Sequence, residues 1–209
     1  MNPSPTETLT GAQIVVRLLE RQGIRRLAGI PGGAILPFYD ALSQSTQIQH
    51  ILARHEQGGG FMAQGMARAT GEVAVCLASS GPGATNLVTA IADAKLDSIP
   101  LVAITGQVPR AMIGTDAFQE VDIYGMSIPI TKHNFLVGSA EELLTVIPQA
   151  FRLAASGRPG PVLVDIPKDV QNQMVNFEEF PDVVVPDAAP SFDIAAIEEA
   201  AQMIESAER

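Results

Sequence analysis

Three apolar runs without alternation constrain the fold of this chain more than any other feature: Val73-Ala74-Val75-Cys76-Leu77-Ala78, Leu101-Val102-Ala103-Ile104-Thr105 and Val162-Leu163-Val164-Asp165-Ile166. A strand with one face in water alternates apolar and polar residues, so runs apolar at nearly every position predict strands covered on both faces. Segments of helical period separate them. Ile14, Val15, Leu18 and Leu19 share one helical face behind a Thr10 cap. A strand at 26–30, a helix at 36–42, a strand at 48–53 and a helix at 57–69 follow. The expected order continues with strand 73–78, helix 84–94, strand 101–105, a long loop, helix 140–155 and strand 162–166. Strands alternating with helices predict an α/β domain, doubly wound, with a mostly parallel sheet and helices on both faces.

With 209 residues the chain is long enough for one domain and an appendage. The net charge of −10 is unevenly spread: from Glu178 onward there are nine acidic residues and one basic, leaving residues 1–177 near neutrality. The expected organisation is a domain over 1–173, an acidic linker over 174–192 with Pro181, Pro186 and Pro190, and a new amphipathic helix over 193–209. That helix, with Ile194, Ile197, Ala201 and Ile204 on one face, reads as the first element of a truncated further domain. No basic patch suggests nucleic acid, and no apolar run is long enough to span a membrane. The first residues lack the basic and apolar blocks of a secretory signal, and the lone Cys76 forms no internal disulfide, so a cytoplasmic location is expected. His50, His55 and His133 are not at metal-ligand spacing, and no metal site is expected within the chain.

Four polar or glycine-rich segments follow four expected strands: Pro31-Gly32-Gly33-Ala34, His55-Glu56-Gln57-Gly58, Ser79-Ser80-Gly81-Pro82-Gly83-Ala84-Thr85-Asn86 and Gly106-Gln107-Val108-Pro109. Each alone fits ordinary turn chemistry. Together they belong on one edge of the sheet, where open α/β folds bind ligands. Glu56 also admits two readings: a carboxylate suited to the positive end of a helix dipole, or an acid/base group in a crevice. Neither the dinucleotide fingerprint nor the P-loop pattern is present, and no Ser sits in a nucleophile elbow. For Lys132 and His133 a structural role is expected. The run Gly58-Gly59-Gly60 is expected to loosen the start of its helix by roughly 1 kcal/mol per added glycine.

Several runs carry a resemblance. They are Gly29-Ile30-Pro31-Gly32-Gly33, Ala53-Arg54-His55-Glu56-Gln57-Gly58, the stretch from Ser79 to Asn86, Ile104 to Pro109, Ile113 to Glu120, Ile130 to Asn134 and Gly157 to Asp169. In this order, over residues 10 to about 172, the chain resembles the N-terminal, pyrimidine-binding domain of the large catalytic subunit of the acetolactate synthase family, which are thiamine-diphosphate enzymes. The resemblance implies a carboligase that decarboxylates pyruvate and joins the two-carbon unit to a second 2-keto acid, giving acetolactate or acetohydroxybutyrate for branched-chain amino acids. It implies that Glu56 hydrogen-bonds the cofactor's aminopyrimidine, with Pro82 and Asn86 against that ring and Gly33 and Ala34 lining the reacting carbon. Phe118 and Gln119 are implied to border the substrate, with Pro109 and Lys168 at the channel mouth.

The resemblance further implies a second catalytic subunit completing the site in a homodimer or larger assembly. A regulatory small subunit, Mg²⁺ held by a C-terminal domain and FAD on a middle domain follow from it as well. Nothing here resembles the family's Gly-Asp-Gly…Asn segment for Mg²⁺ and diphosphate, so these residues are expected to hold half a cofactor site and to be inactive alone. Two alternatives stay open: the pyrimidine-binding subunit of a split 2-keto acid decarboxylase, and a non-catalytic binding module.

Overall fold

A computed structural model describes residues 7–183, 187 and 191–208. The elements in chain order are β1 (Glu7–Thr10), α1 (Gly11–Arg21), β2 (Arg26–Gly29), α2 (Leu36–Ser43), β3 (Gln49–Leu52), α3 (Glu56–Thr70), β4 (Ala74–Ala78), α4 (Pro82–Thr85) and α5 (Val88–Leu96). Then come β5 (Leu101–Gln107), α6 (Ile123–Ser127), β6 (His133–Leu136), α7 (Leu143–Ala155), β7 (Pro161–Pro167), α8 (Lys168–Asn172), β8 (Met174–Phe177) and α9 (Ile194–Glu205). Six strands form a parallel sheet in the order β3-β2-β4-β5-β7-β6, with helices on both faces, as the apolar runs predicted. None of the helices among the described residues is long and apolar enough to cross a membrane.

The local signals explain the elements. Thr10 Oγ1 accepts from the Gln13 amide at 3.2 Å while Gln13 Oε1 accepts from the Thr10 amide at 2.9 Å, a reciprocal cap that starts α1. Every residue of β4, β5 and β7 is buried, and the pleat divides their side chains between two faces. Val75, Leu77, Val102, Ile104, Val162 and Val164 meet α1 and α7 on one face. Cys76, Ala78, Ala103 and Leu163 meet Ala63 and Ala67 of α3 and Ile91 and Ala94 of α5 on the other face. Small residues let those helices approach closely. A Cβ added at Gly60 would stand 2.6 Å from the Ala90 Cβ, and Gln64 Nε2 donates to the Ala90 carbonyl at 2.7 Å. The glycines at 59 and 60 are thus buried packing positions, whereas Gly58 alone of the three has open space around it.

Three expectations need correction. Residues 174–177, assigned to the linker, form β8, which pairs antiparallel with β1 from Glu7↔Phe177 to Thr10↔Met174. Alternating burial of Val175 and Phe177 suits a ribbon with one covered face. Beyond it Phe180 meets Phe177 edge to face with ring centroids 4.8 Å apart, and Asp187 pairs with Arg152 at 2.6 Å. Pro186, Pro190 and Arg209, parts of the expected linker and last helix, lie outside the described residues. Secondly, the helix expected at 84–94 is two pieces, α4 and α5, with Asn86 between them. Thirdly, β5 runs on to Gln107, so Gly106 is a strand residue rather than a turn; a side chain there would collide with the Ala34 carbonyl. Helix α9 is present, and all its residues are exposed.

Lys132 has the expected structural place. Its ammonium donates to the Leu153 carbonyl, and to that of Ser156 at 2.6 Å, closing the C-terminal end of α7. His133 opens the edge strand β6 with its ring edge-on to Phe135.

Candidate active site

The chain runs from β2 outward to β3 and then crosses back to β4, so the sheet has a topological switch between β2 and β4. Such a switch opens a crevice at the carboxyl ends of the strands because the following helices leave to opposite faces. Here α2 packs with the core that holds α1 and α7, and α4 with the core that holds α3 and α5. The loops leaving β2 and β4 meet across the gap. Ser79 Oγ accepts from the Ala34 amide at 3.2 Å, and a Cβ on Gly32 would stand 2.5 Å from the Ser79 Cβ. Gly33 is exposed with nothing within 4 Å of its missing side chain, whereas Ala34 is buried.

Glu56 is the first residue of α3, after His55, whose Nδ1 accepts from the Gln57 amide at 3.2 Å. Its carboxylate is half-buried, at the positive end of the helix dipole. Asn86 Nδ2 donates to Glu56 Oε2 at 2.9 Å. Oε1 has no hydrogen-bond partner among the described residues, and it lies 3.5 Å from where a Gly83 Cβ would be. One carboxylate oxygen is therefore held and the other is free beside a gap that glycine leaves. Pro82 is exposed on the same turn, at the first position of α4.

Beneath this carboxylate stands a pair that the sequence reading missed. The Tyr39 hydroxyl is 3.1 Å from His50 Nε2, with the rings edge-on at 5.0 Å. Burial, and secondly the charge of Glu56, push the Tyr39 hydroxyl's pKa above its ordinary range. Burial lowers that of His50. No local pattern signals this pair, since Tyr39 sits on a helix and His50 on a strand.

Phe118 and Gln119 lie on the loop from Val108 to Val121, before the Asp122 cap of α6. Phe118 is 86% exposed, which rules out the core-packing role open to an aromatic residue. Asp116 and Gln119 both have φ of 56°, a left-handed backbone that non-glycine residues adopt at a cost of roughly 1–3 kcal/mol. The Glu120 carboxylate holds this shape. It accepts from the Gly114 amide, from Ala117 N at 3.0 Å and from Thr115 N at 3.3 Å, and these amides, Gly114 first, lower its pKa. Gly81, with φ of 57°, lies so close to Gln119 that any side chain there would strike the Gln119 carbonyl. The loop thereby docks on the turn that carries Pro82 and Asn86. Pro109 and Lys168 follow the ends of neighbouring strands β5 and β7, and Arg110 ties these ends together through a 2.7 Å pair with Asp169.

The structure thus brings Glu56 to Asn86, the Gly32–Ala34 turn to Ser79, and Gln119 to Gly81. It leaves Phe118 pointing into solvent. The hollows lined by Gly23, Ile24, Glu72 and Val73 lie at the amino ends of β2 and β4, remote from this edge. Among the described residues no group of three His, Cys, Asp or Glu side chains is assembled as a metal site.

Known proteins are similar to this chain in sequence. Residues 9–126 match the family model of the thiamine pyrophosphate enzyme N-terminal TPP binding domain. The chain is 66% identical over 99% of its length to the acetolactate synthase isozyme 1 large subunit of Escherichia coli, of which it covers 37%. It is 55% identical over 97% of its length to an acetolactate synthase of Mycobacterium bovis, covering 33% of that protein. Against the chloroplastic acetolactate synthase of Arabidopsis thaliana the identity is 56% over 84% of this chain and 27% of the relative. The chain spans about a third of the length of these relatives. A parallel sheet with a carboxylate at its switch-point crevice, and a family match over more than half the chain, lead to one conclusion: this chain belongs to the thiamine pyrophosphate enzymes and forms their N-terminal TPP-binding domain.

Proposed function

We propose that these residues form the pyrimidine-binding part of a carboligase that decarboxylates pyruvate and joins the product to a second 2-keto acid, giving acetolactate or acetohydroxybutyrate. The observation that carries the reading is the Glu56 carboxylate, with Oε2 fixed by Asn86 and Oε1 free beside Gly83. A ring nitrogen carrying a proton suits that free oxygen, and the bare Gly83 leaves room for the ring. When bound, thiamine diphosphate supplies the electron sink for losing CO₂. Glu56 would hold or release a proton shared with a ring nitrogen of the bound cofactor; Asn86 keeps the carboxylate aimed; the half-buried setting limits competition from water. Gly33, Ala34 and Pro82 would border the cofactor, Phe118 and Gln119 the substrate, and Pro109 and Lys168 the mouth of the channel.

The names of the relatives support the carboligase, and the words "large subunit" support a smaller regulatory partner. Mg²⁺ and the diphosphate would be held by a C-terminal domain, FAD by a middle domain, and the site would be completed by a second catalytic subunit in a homodimer or larger assembly. The exposed apolar side of α9 suits the start of such a middle domain. Cytoplasmic location goes with this metabolism. By themselves these residues would bind the cofactor weakly and turn nothing over.

The test is acetolactate formation from pyruvate, thiamine diphosphate and Mg²⁺ by the protein from the complete gene, beside Glu56→Gln. Glutamine keeps the shape and loses the basic oxygen, so turnover falls by about 10²–10⁴-fold. Near-normal turnover in the variant would sink the role of Glu56. Aldehyde and CO₂ without acetolactate would indicate a decarboxylase instead.

A further inference from the structure

Asp165 is a carboxylate at 1% exposure inside strand β7, and the Glu56 chemistry makes no use of it. Burying such a group costs several kcal/mol unless its hydrogen bonds are complete. Among the described residues no cation pairs with it. It accepts from Thr105 Oγ1 at 2.6 Å and from Gln107 Nε2 at 2.9 Å. Gln107 is itself 3% exposed, and its amide is fully used: Nε2 also donates to the Val121 carbonyl at 3.0 Å, and Oε1 accepts from the Val108 amide at 2.9 Å. Val108 and Val121 are the two ends of the loop that bears Phe118 and Gln119. One side chain therefore closes the base of that loop.

The amide can do this in only one orientation. Flipped, it would set oxygen against the Val121 carbonyl and NH₂ against the Val108 amide. Asp165 turns Oδ2 to Gln107 and Oδ1 to Thr105, so Oδ2 accepts in the ionised form and also with a proton on Oδ1, and Asp165 selects the orientation that works. Thr105 and Asp165 are paired in register on adjacent strands, which fixes the selector to the sheet. From there the linkage runs through Gln107 to both loop ends, and through Gln119 to Gly81 on the turn that carries Pro82 and Asn86.

We propose that Asp165 is a positioning residue for the 2-keto acid: by orienting Gln107 it ties both ends of the 108–121 loop and sets where Phe118 and Gln119 stand over the 79–86 turn. This rests on the reading of Phe118 and Gln119 as substrate-bordering residues of the carboligase.

The experiment uses the complete enzyme with Asp165→Ala, Asp165→Asn and Gln107→Met, measuring amide hydrogen exchange and steady-state kinetics with pyruvate. Asparagine can still accept from Gln107 while donating to Thr105, so it is the conservative rescue. In the alanine and methionine variants, exchange over residues 108–121 accelerates on the order of tenfold, for loss of about one well-made hydrogen bond. The KM for pyruvate rises by a similar factor while kcat stays within about threefold. Asparagine returns both to near the parent values. Parent-like exchange and KM in folded Asp165→Ala would overturn the proposal. So would faster exchange throughout β5 and β7 with kcat falling, since that marks a core role only. If Asp165→Ala does not fold, Gln107→Met decides by the same criteria. A parent that makes no acetolactate would count against the carboligase, while the exchange result still judges the clamp.

Discussion

Gly60→Ala tests the close contact between α3 and α5, which seats the helix bearing Glu56. The added Cβ would lie 2.6 Å from the Ala90 Cβ and 3.5 Å from Leu87 Cδ2. Carbon atoms rest about 3.5–4.0 Å apart, so α3 and α5 must separate by about 1 Å. Neither neighbour can turn away, because Ala90 and Leu87 are wholly buried. The separation also stretches the 2.7 Å bond from Gln64 to the Ala90 carbonyl, one turn along α3. Overpacking costs about 1–3 kcal/mol and the weakened bond about 1, against roughly 1 recovered from alanine's better helix propensity. The net is a loss of about 1–3 kcal/mol, or roughly 2–12 °C in Tm for a chain of this size. Gly65→Ala is the control, on the same helix but exposed, with nothing within 4 Å of the new atom; it should stabilise by about 0.5–1 kcal/mol. Adding Ala90→Gly to Gly60→Ala restores room and should show coupling of about 1 kcal/mol or more. Urea unfolding followed by far-ultraviolet circular dichroism measures all of these. If Gly60→Ala proves as stable as Gly65→Ala, close approach of the two helices is not what position 60 provides, and the reasoning fails.

Asn86→Ala removes the hydrogen bond that, among the described residues, holds Glu56 Oε2; turnover of the complete enzyme should drop about 10–100-fold through misplacement, and an unchanged rate would refute the pairing. Burial raises the pKa of Asp165 to about 7 from an ordinary 3.8, so the folded chain takes up a proton that the unfolded chain lacks between these values. Its contribution to stability is full below about pH 4 and lost as pH rises to about 7. Asp165→Asn should therefore gain on the parent across that window and level off above it; parallel curves of stability against pH would contradict this. Lys132→Met removes the ammonium from the Leu153 and Ser156 carbonyls. Thermal unfolding should report a loss of about 1–3 kcal/mol, and a variant matching the parent would deny the cap its role.

Much of the fold was legible because its signals are local. The reciprocal cap of Thr10 and Gln13, the apolar stripe of α1 and the unbroken runs of β4, β5 and β7 each depend on residues near in sequence. Strand β8 was not legible, since four residues beside an acidic stretch acquire a strand's geometry only by pairing with residues 7–10. The split at Asn86 was equally hidden: nothing in the run from 84 to 94 requires a break there. Asp165 did leave a signal, a carboxylate inside a run otherwise fit for burial on both faces. Its partners could not be read, because Gln107 and Thr105 lie about sixty residues earlier.

At the candidate site the division is similar. The placement of Glu56 after a strand and at the mouth of a helix follows from the sequence alone, as does the gathering of four loops on one sheet edge, because parallel strands must all end on the same side. Which oxygen of Glu56 is free was decided by the tertiary structure, through Asn86 approaching from another loop. So was the meaning of the glycines at 59 and 60, which propensity reads as weakness and packing reads as clearance. Periodicity and turn chemistry act over a few residues and are written along the chain. Hydrogen-bond partners and close contacts join residues tens of positions apart, and only the folded chain sets them side by side.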